Sequence, residues 1–395
     1  MNSDVLRLCH SLVLHIIDQL RFPVHSISLT VGSNKFLVFI AVFLLLQLCF
    51  MRTYLFIIIC LAFFSCTENK NTSNSISVAD YFAPQDSGVQ TAGVKMIPIT
   101  TPVGTFKVWT KTIGNNPRIK VLLLHGGPAF THEYMECFES FFPQQGFEMI
   151  EYDQLGSYYS DQPTDSSLWT TDRFVDEVEQ VRKELGLNKD NFYLLGNSWG
   201  GLLAMEYALK YQQNLKGLIV CNMMASIPEY EKYNLKLRDQ MRKSLVDSLM
   251  AYENKGAYED STYQTLVYNE FYKQHLCRLA DWPDPLNRAF KHLNQTIYVM
   301  MQGPSEFKTG GRLLNWDISK RLPEITVPTL MVGAKYDTMD PDYMNWMSKQ
   351  VKQGRYLYCP EGSHLAMWDD QKHFYPGIIN FIHDVDAGNN ISSSK

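Results

Sequence analysis

The hexapeptide Gly196-Asn197-Ser198-Trp199-Gly200-Gly201 follows the apolar run FYLL directly and leads into the helical pattern LLAMEYALKY. A strand that turns into a helix through G-x-S-x-G is a nucleophile elbow. The turn is so tight that side chains at the flanking positions would clash, and it thrusts the serine hydroxyl above the sheet. The same letters occur by chance in Gly-rich turns that carry a bystander serine. The strand-turn-helix context separates this instance from those, and it demands a buried strand before the serine and a helix after it.

The rest of the chain supplies more of both. VKMIPIT (94–100) and TFKVWTKT (105–112) read as strands, and IKVLLL (119–124), FEMIEYD (147–153), NFYLLGN (191–197), LKGLIVCN (215–222), PTLMVGA (328–334) and RYLYCP (355–360) are short, mostly apolar runs of the kind that form buried strands. Between several of them lie helical patterns. Asp172 to Leu185 opens on a residue suited to an N-cap and repeats Val175, Val178, Val181 and Leu185 at helical spacing. Strands alternating with helices predict an α/β fold, a mostly parallel sheet covered by helices on both faces. Residues 226–316 break the rhythm with helical patterns and no buried-strand run, which predicts a helical cap inserted between two parts of the core, 90–225 and 317–386. Polar stretches flank the core at 67–89 and 387–395.

The first 66 residues read as an address. Residues 36–50 are apolar except Gln47, and a second run, Tyr54 to Phe64, follows Met51-Arg52 and ends at Ser65-Cys66. Read from Met51, this is a short basic start, an apolar stretch too short to span a bilayer, a small residue and a cysteine, the pattern of a bacterial lipoprotein signal with Cys66 as the lipidated residue. An apolar segment at 36–64 kept as a membrane anchor is the alternative. Either places the folded part in the cell envelope, facing the periplasm or the cell surface. Of the other cysteines, Cys137, Cys221, Cys277 and Cys359 are scattered without a CxxC pair and read as buried apolar residues. No zinc motif appears among the ten histidines, and no cofactor is expected. A net charge of −5 with no run of basic residues argues against a nucleic-acid partner.

A serine at its free pKa is a poor nucleophile; it needs a base, and the base needs a carboxylate to orient it. Asp337 follows the run TLMVGA and His364 follows YLYCP, both at the C-terminal strand ends where open α/β sheets place their sites. The order Ser198, Asp337, His364 is the one this elbow requires. His125-Gly126-Gly127-Pro128-Ala129 follows IKVLLL, and its glycines let the backbone present an N–H to the nucleophile. Gly127 N–H and Trp199 N–H are therefore the expected oxyanion donors. His125, which precedes the glycines, reads as structural.

HGGPAFTH (125–132), DQLGSYYSDQP (153–163), GNSWGG (196–201), DWPDP (281–285), QGPSEF (302–307) and GSHLAMWDD (362–370) together resemble the proline iminopeptidases, close to the tricorn-interacting-factor type. The resemblance runs from about residue 90 to 385. It implies an α/β-hydrolase fold, a catalytic triad at Ser198, Asp337 and His364, and short peptides with a free N-terminus as partners, cleaved after an N-terminal residue that is preferably proline. In that family a cap glutamate binds the substrate's α-amino group, which corresponds here to Glu306. The chain departs from the pattern where a second amine-binding glutamate would follow the acid: Thr338 stands there, with Asp340 two residues on as a candidate substitute. Ala129 replaces a glycine of HGGPG, and Ser157-Tyr158-Tyr159 replaces Cys-Gly-Arg or Cys-Gly-Asn. Cap aromatics such as Trp282, Tyr298 and Phe307 are candidates to wall a proline ring, although any one of them is also ordinary cap core. Two other readings remain open: an esterase or lactonase using the same triad, and an inactive surface-anchored binding protein.

Overall fold

The computed structural model describes residues 93–306 and 308–391. The leader with Cys66, the whole polar linker 67–89, Phe307 and residues 392–395 lie outside the described residues. Among the described residues no helix is long and apolar enough to cross a membrane.

The eight apolar runs form one eight-stranded sheet: β1 (Val94–Thr101), β2 (Gly104–Ile113), β3 (Lys120–Leu124), β4 (Glu148–Asp153), β5 (Phe192–Asn197), β6 (Gly217–Cys221), β7 (Thr329–Ala334) and β8 (Gly354–Cys359). Their order across the sheet is β1-β2-β4-β3-β5-β6-β7-β8. β2 runs antiparallel to both β1 and β4, and every pair from β4 to β8 is parallel. Side chains alternate along each strand. Leu122, Leu124, Leu194, Leu218 and Val220 therefore enter one core, and Val121, Leu123, Leu195, Ile219 and Val332 enter the core on the opposite face. A strand with both faces covered has no polar side to show, which is why the runs of β3, β5, β6 and β7 are mostly apolar.

The first core is closed by α1 (Thr171–Glu184) and α2 (Trp199–Tyr211). α1 turns Phe174, Val175, Val178 and Val181 inward, each burial contributing roughly 1.5–3 kcal/mol. Its N-cap is Thr170, whose hydroxyl accepts the Arg173 N–H, while Asp172 sits in the first turn where a negative charge favours the helix dipole. The cap therefore lies two residues before the expected one. Gly186, in the left-handed region at φ +63°, ends the element.

Between β6 and β7 the chain forms five helices of seven or more residues: α3 (Ile227–Asp239), α4 (Lys243–Glu253), α5 (Ser261–Val267), α6 (Asp284–Lys291) and α7 (Gln295–Met301). A bridge between Ser226 and Asp317 pins both ends of this insertion together. α3 to α5 share a small core of their own, with Leu237, Leu245, Leu249, Tyr263, Val267 and Phe271. α8 (Pro341–Gln350) and α9 (Gln371–Asp386) complete the layers, α9 on the second core. Cys137, Cys221, Cys277 and Cys359 are each buried with a free thiol.

Candidate active site

Ser198 stands between the end of β5 and the start of α2 at φ +56° and ψ −127°, a conformation that L side chains rarely adopt. Its own N–H is held by the Cys221 carbonyl at 3.0 Å. The glycines beside it are required by contact. A Cβ on Gly196 would overlap the Gly200 carbonyl, and one on Gly200 would overlap the Leu124 carbonyl at the end of β3. The serine is thus carried on a helix packed directly onto two strand ends.

Asp337 follows β7 and His364 follows β8, both buried. The Nδ1–H of His364 donates to Asp337 Oδ1 at 2.8 Å, which leaves Nε2 as the acceptor nitrogen. Burial alone pushes the imidazole pKa down. The charge and hydrogen bond of Asp337 outweigh that, Glu306 adds to them, and the net is a pKa above the ordinary 6.5. The second aspartate oxygen, Oδ2, accepts from Asn222 Nδ2 at 2.7 Å. Asn222 sits just past β6 in the left-handed region at φ +53°, which asparagine tolerates better than most residues. The His364 loop is tied to the cap, its N–H bonding the His275 carbonyl at 2.9 Å. Among the described residues no hydrogen bond joins Ser198 Oγ to His364, but both face one cavity.

Gly127 lines the same cavity. Its φ of +111° calls for glycine, and a Cβ there would press the Phe130 nitrogen at 2.7 Å. Neither the Gly127 N–H nor the Trp199 N–H, the latter in the first turn of α2, has an acceptor among the described residues. The Trp199 indole is turned away, donating to Gln154 Oε1 at 2.8 Å. His125 is fully buried; its Nδ1 lies 2.8 Å from the Gly126 carbonyl and its Nε2 accepts the Gln154 N–H at 3.1 Å. Burial lowers its pKa, so the ring is neutral and fastens one loop to the next.

The cavity measures about 430 Å³ and lies between the strand ends and the cap. Residues 120–371 match the family model for the alpha/beta hydrolase fold. Over 291 residues the chain is 68% identical to a proline iminopeptidase of Flavobacterium johnsoniae, across 73% of this chain and 98% of that one. A proline iminopeptidase of Elizabethkingia meningoseptica is 66% identical over 294 residues, 74% of this chain and 99% of the other.

The chain belongs to the proline iminopeptidase family.

The solved structure of the proline iminopeptidase of Mycobacterium smegmatis superposes with a TM-score of 0.68 at 27% identity, covering 75% of this chain and 99% of that one. Glu306 lines the cavity with Ser198 and His364, and its oxygens are oriented from two cap helices. The Tyr298 hydroxyl, on α7, donates to Oε1 at 2.6 Å. The Tyr230 hydroxyl, on α3, lies 2.5 Å from the Glu306 carbonyl oxygen and 3.4 Å from Oε2. Asp340 does not line the cavity. It is the N-cap of α8, its Oδ1 accepting the Asp342 N–H at 2.9 Å ahead of Pro341. The structure thus gives Asp340 Oδ1 a helix-capping bond, while Glu306 is the amine-binding candidate that lines the cavity. Thr338 is fully buried beside the acid and base, its hydroxyl 3.4 Å from Asp337 Oδ1 and from His364 Nδ1.

Trp282 and Tyr298 both contribute to the cavity wall, with Tyr268, Tyr272 and Phe290. Sequence reasoning did not single out Asn222 or Tyr230, which bond Asp337 and Glu306, or Tyr134, which bonds the neighbours Gly126 and Asn197 of two candidate residues. For Asn222 a signal existed, a polar residue directly after an apolar strand run. For the tyrosines there was none, since each sits in an ordinary amphipathic segment.

Proposed function

We propose that this chain is a serine aminopeptidase that releases an N-terminal residue, preferably proline, from short peptides through an acyl-enzyme intermediate. One observation carries the reading: Ser198, His364 and Glu306 open onto a single cavity whose aromatic wall is capped by helices. A triad alone serves esters as well as peptides. A carboxylate facing the same space adds recognition of a cation, since a protonated amine in a water-poor pocket is costly without an opposite charge.

Ser198 Oγ attacks the carbonyl carbon while His364 Nε2 takes its proton, and Asp337 stabilises the imidazolium that forms. The developing oxyanion is met by the Gly127 and Trp199 N–H groups, which have no acceptor among the described residues. His364 then returns the proton to the leaving amine, and water repeats the sequence to release the acyl group. Glu306 pairs with the substrate ammonium and fixes which bond reaches Ser198. Because Glu306 holds a free amine beside Ser198, a chain interior, which has no such amine, is not bound in this way.

The test is turnover of a panel of aminoacyl-arylamides alongside simple acyl esters. Prolyl-arylamide is expected to lead the panel by kcat/KM. An amine-free ester outrunning every arylamide would favour the esterase reading.

The sequence also supports attachment to the cell envelope through a lipid on Cys66, with the enzyme facing the periplasm or the cell surface. The pattern from Met51 to Cys66 is its basis. Mass spectrometry of the membrane fraction is expected to find a mature chain starting at residue 66. An intact peptide spanning 51–70 would support an uncleaved anchor.

A further inference from the structure

We propose that Tyr134 is a positioning residue of the oxyanion hole, its hydroxyl locking the Gly126-Gly127 loop onto the strand end that carries Ser198. The proposal rests on the serine-hydrolase reading above, and the arms of its test separate the two.

Tyr134 lies in the short 3-10 segment His132–Ser140 and is almost fully buried, with its ring against the cavity. Its hydroxyl accepts the Gly126 N–H at 2.7 Å and donates to Asn197 Oδ1 at 2.9 Å. Asn197 is the residue before the nucleophile, and its Nδ2 reaches the carbonyls of Cys221 and His364, both at 3.5 Å. One phenol and one amide thus join the ends of β3, β5 and β6 to the His364 loop. A phenol has a single hydrogen to give, and here it goes to Asn197, so the oxygen that remains is free to receive Gly126. The ring is itself held: the Trp368 indole donates to the Tyr134 carbonyl at 2.8 Å, and Phe130 meets the ring edge-on with centroids 5.3 Å apart.

The Gly126 peptide needs this restraint. A Cβ on Gly126 would stand 3.1 Å from the Ser198 Cβ and 3.2 Å from the Tyr134 hydroxyl, so the backbone there touches the nucleophile with no side chain between them. Two consecutive glycines are the freest dipeptide a chain can offer. The rotation at Gly126 sets where the next amide, Gly127 N–H, points. An oxyanion donor is useful only if it is already aimed when charge develops, and tolerances in such sites are about half an ångström. Anchoring Gly126 N–H to a rigid aromatic hydroxyl meets that demand. Removing the hydroxyl leaves a buried N–H without an acceptor and the loop free to turn.

The test is Tyr134→Phe, which keeps the ring and deletes the oxygen. The kcat is expected to fall about 10- to 100-fold, short of the roughly 10²–10³ seen when an oxyanion donor is removed outright. KM is expected to stay within about twofold, because the donor acts on the transition state. The loss is expected equally with prolyl-arylamide and with an amine-free ester, since both pass through the same oxyanion. Inhibitors supply the readout that a loosened fold would not reproduce. The Ki of the boronic acid analogue of proline, which forms a tetrahedral adduct on Ser198, should rise by the factor by which kcat falls. The Ki of pyrrolidine, which offers the ammonium and no carbonyl, should not change. Unchanged kcat, or both Ki values rising together, overturns the proposal. Asn197→Ala provides a second variant should Tyr134→Phe fold poorly: it frees the hydroxyl without removing it, and a smaller loss confined to kcat is expected, whereas a loss confined to KM counts against the proposal. If wild-type enzyme cleaves esters but no prolyl-arylamide, the aminopeptidase reading fails while the role of Tyr134 is still decided on the esters.

Discussion

Replacing Glu306 with glutamine tests how the cavity recognises a free N-terminus. Glu306→Gln keeps size and shape, and the surroundings tolerate it: the amide oxygen can still accept from Tyr298, and the amide nitrogen would face a Tyr230 hydroxyl already directed at the Glu306 carbonyl oxygen. What disappears is the negative charge. On the acid side Thr338 is neutral, and Asp340 caps a helix and does not line the cavity. A charge-assisted hydrogen bond contributes roughly 1.5–3 kcal/mol. At about 1.4 kcal/mol per tenfold, kcat/KM for prolyl-arylamide should fall about ten- to a hundredfold. An ester with no amine has nothing to lose at this position and should keep its rate within about twofold. The assay is steady-state kinetics of both substrates on purified wild type and variant. If the ester slows as much as the arylamide, Glu306 supports the site generally and the account of amine recognition is wrong.

Further expectations follow from the same geometry. Asp337→Asn should reduce kcat by a factor on the order of 10⁴, the benchmark for losing the carboxylate that fixes the base, and near-normal rates by stopped assay would move the acid elsewhere. Because the folded pKa of His364 is raised and only the neutral ring accepts a proton, the acidic limb of the kcat/KM profile should sit above pH 6.5, with activity rising as pH increases through it. In Glu306→Gln, where one of the charges raising that pKa is gone, the limb should move to lower pH, and a limb that stays put would count against the coupling. Asp340→Ala should cost about 0.5–2 kcal/mol in denaturant unfolding, as loss of a helix N-cap does, while the ratio of prolyl to alanyl turnover stays at the wild-type value; a changed ratio would return Asp340 to substrate binding.

The centre of the sheet was legible because both faces of its strands are covered. Such strands are mostly apolar, and runs such as KVLLL and TLMVGA stand out against polar loops without any knowledge of neighbours. The elbow was legible for a steric reason, as its glycines are the residues whose Cβ atoms would overlap other backbone. Asp340 shows a signal that was present and outweighed. Asp340-Pro341 is an N-cap followed by proline at the first helical position, a local pattern that announces a helix start, and it describes that side chain better than its nearness to Asp337 does. Asn222 and the tyrosines around Glu306 were not legible, because their roles arise only when segments far apart in the chain meet. Tyr230 and Glu306 are 76 residues apart, and Asn222 and Asp337 are 115 apart. Hydrogen bonds of that separation leave no periodicity in the sequence.

Ser198 should be acylated by the residue whose amine Glu306 holds. Rapid acid quench of the enzyme turning over a prolyl ester, followed by peptide mapping in a mass spectrometer, reads this directly. A single prolyl adduct is expected on the peptide that carries Ser198, absent from Ser198→Ala, which should remain folded and inactive. An adduct on a different peptide, or substantial turnover by purified Ser198→Ala, would contradict the account.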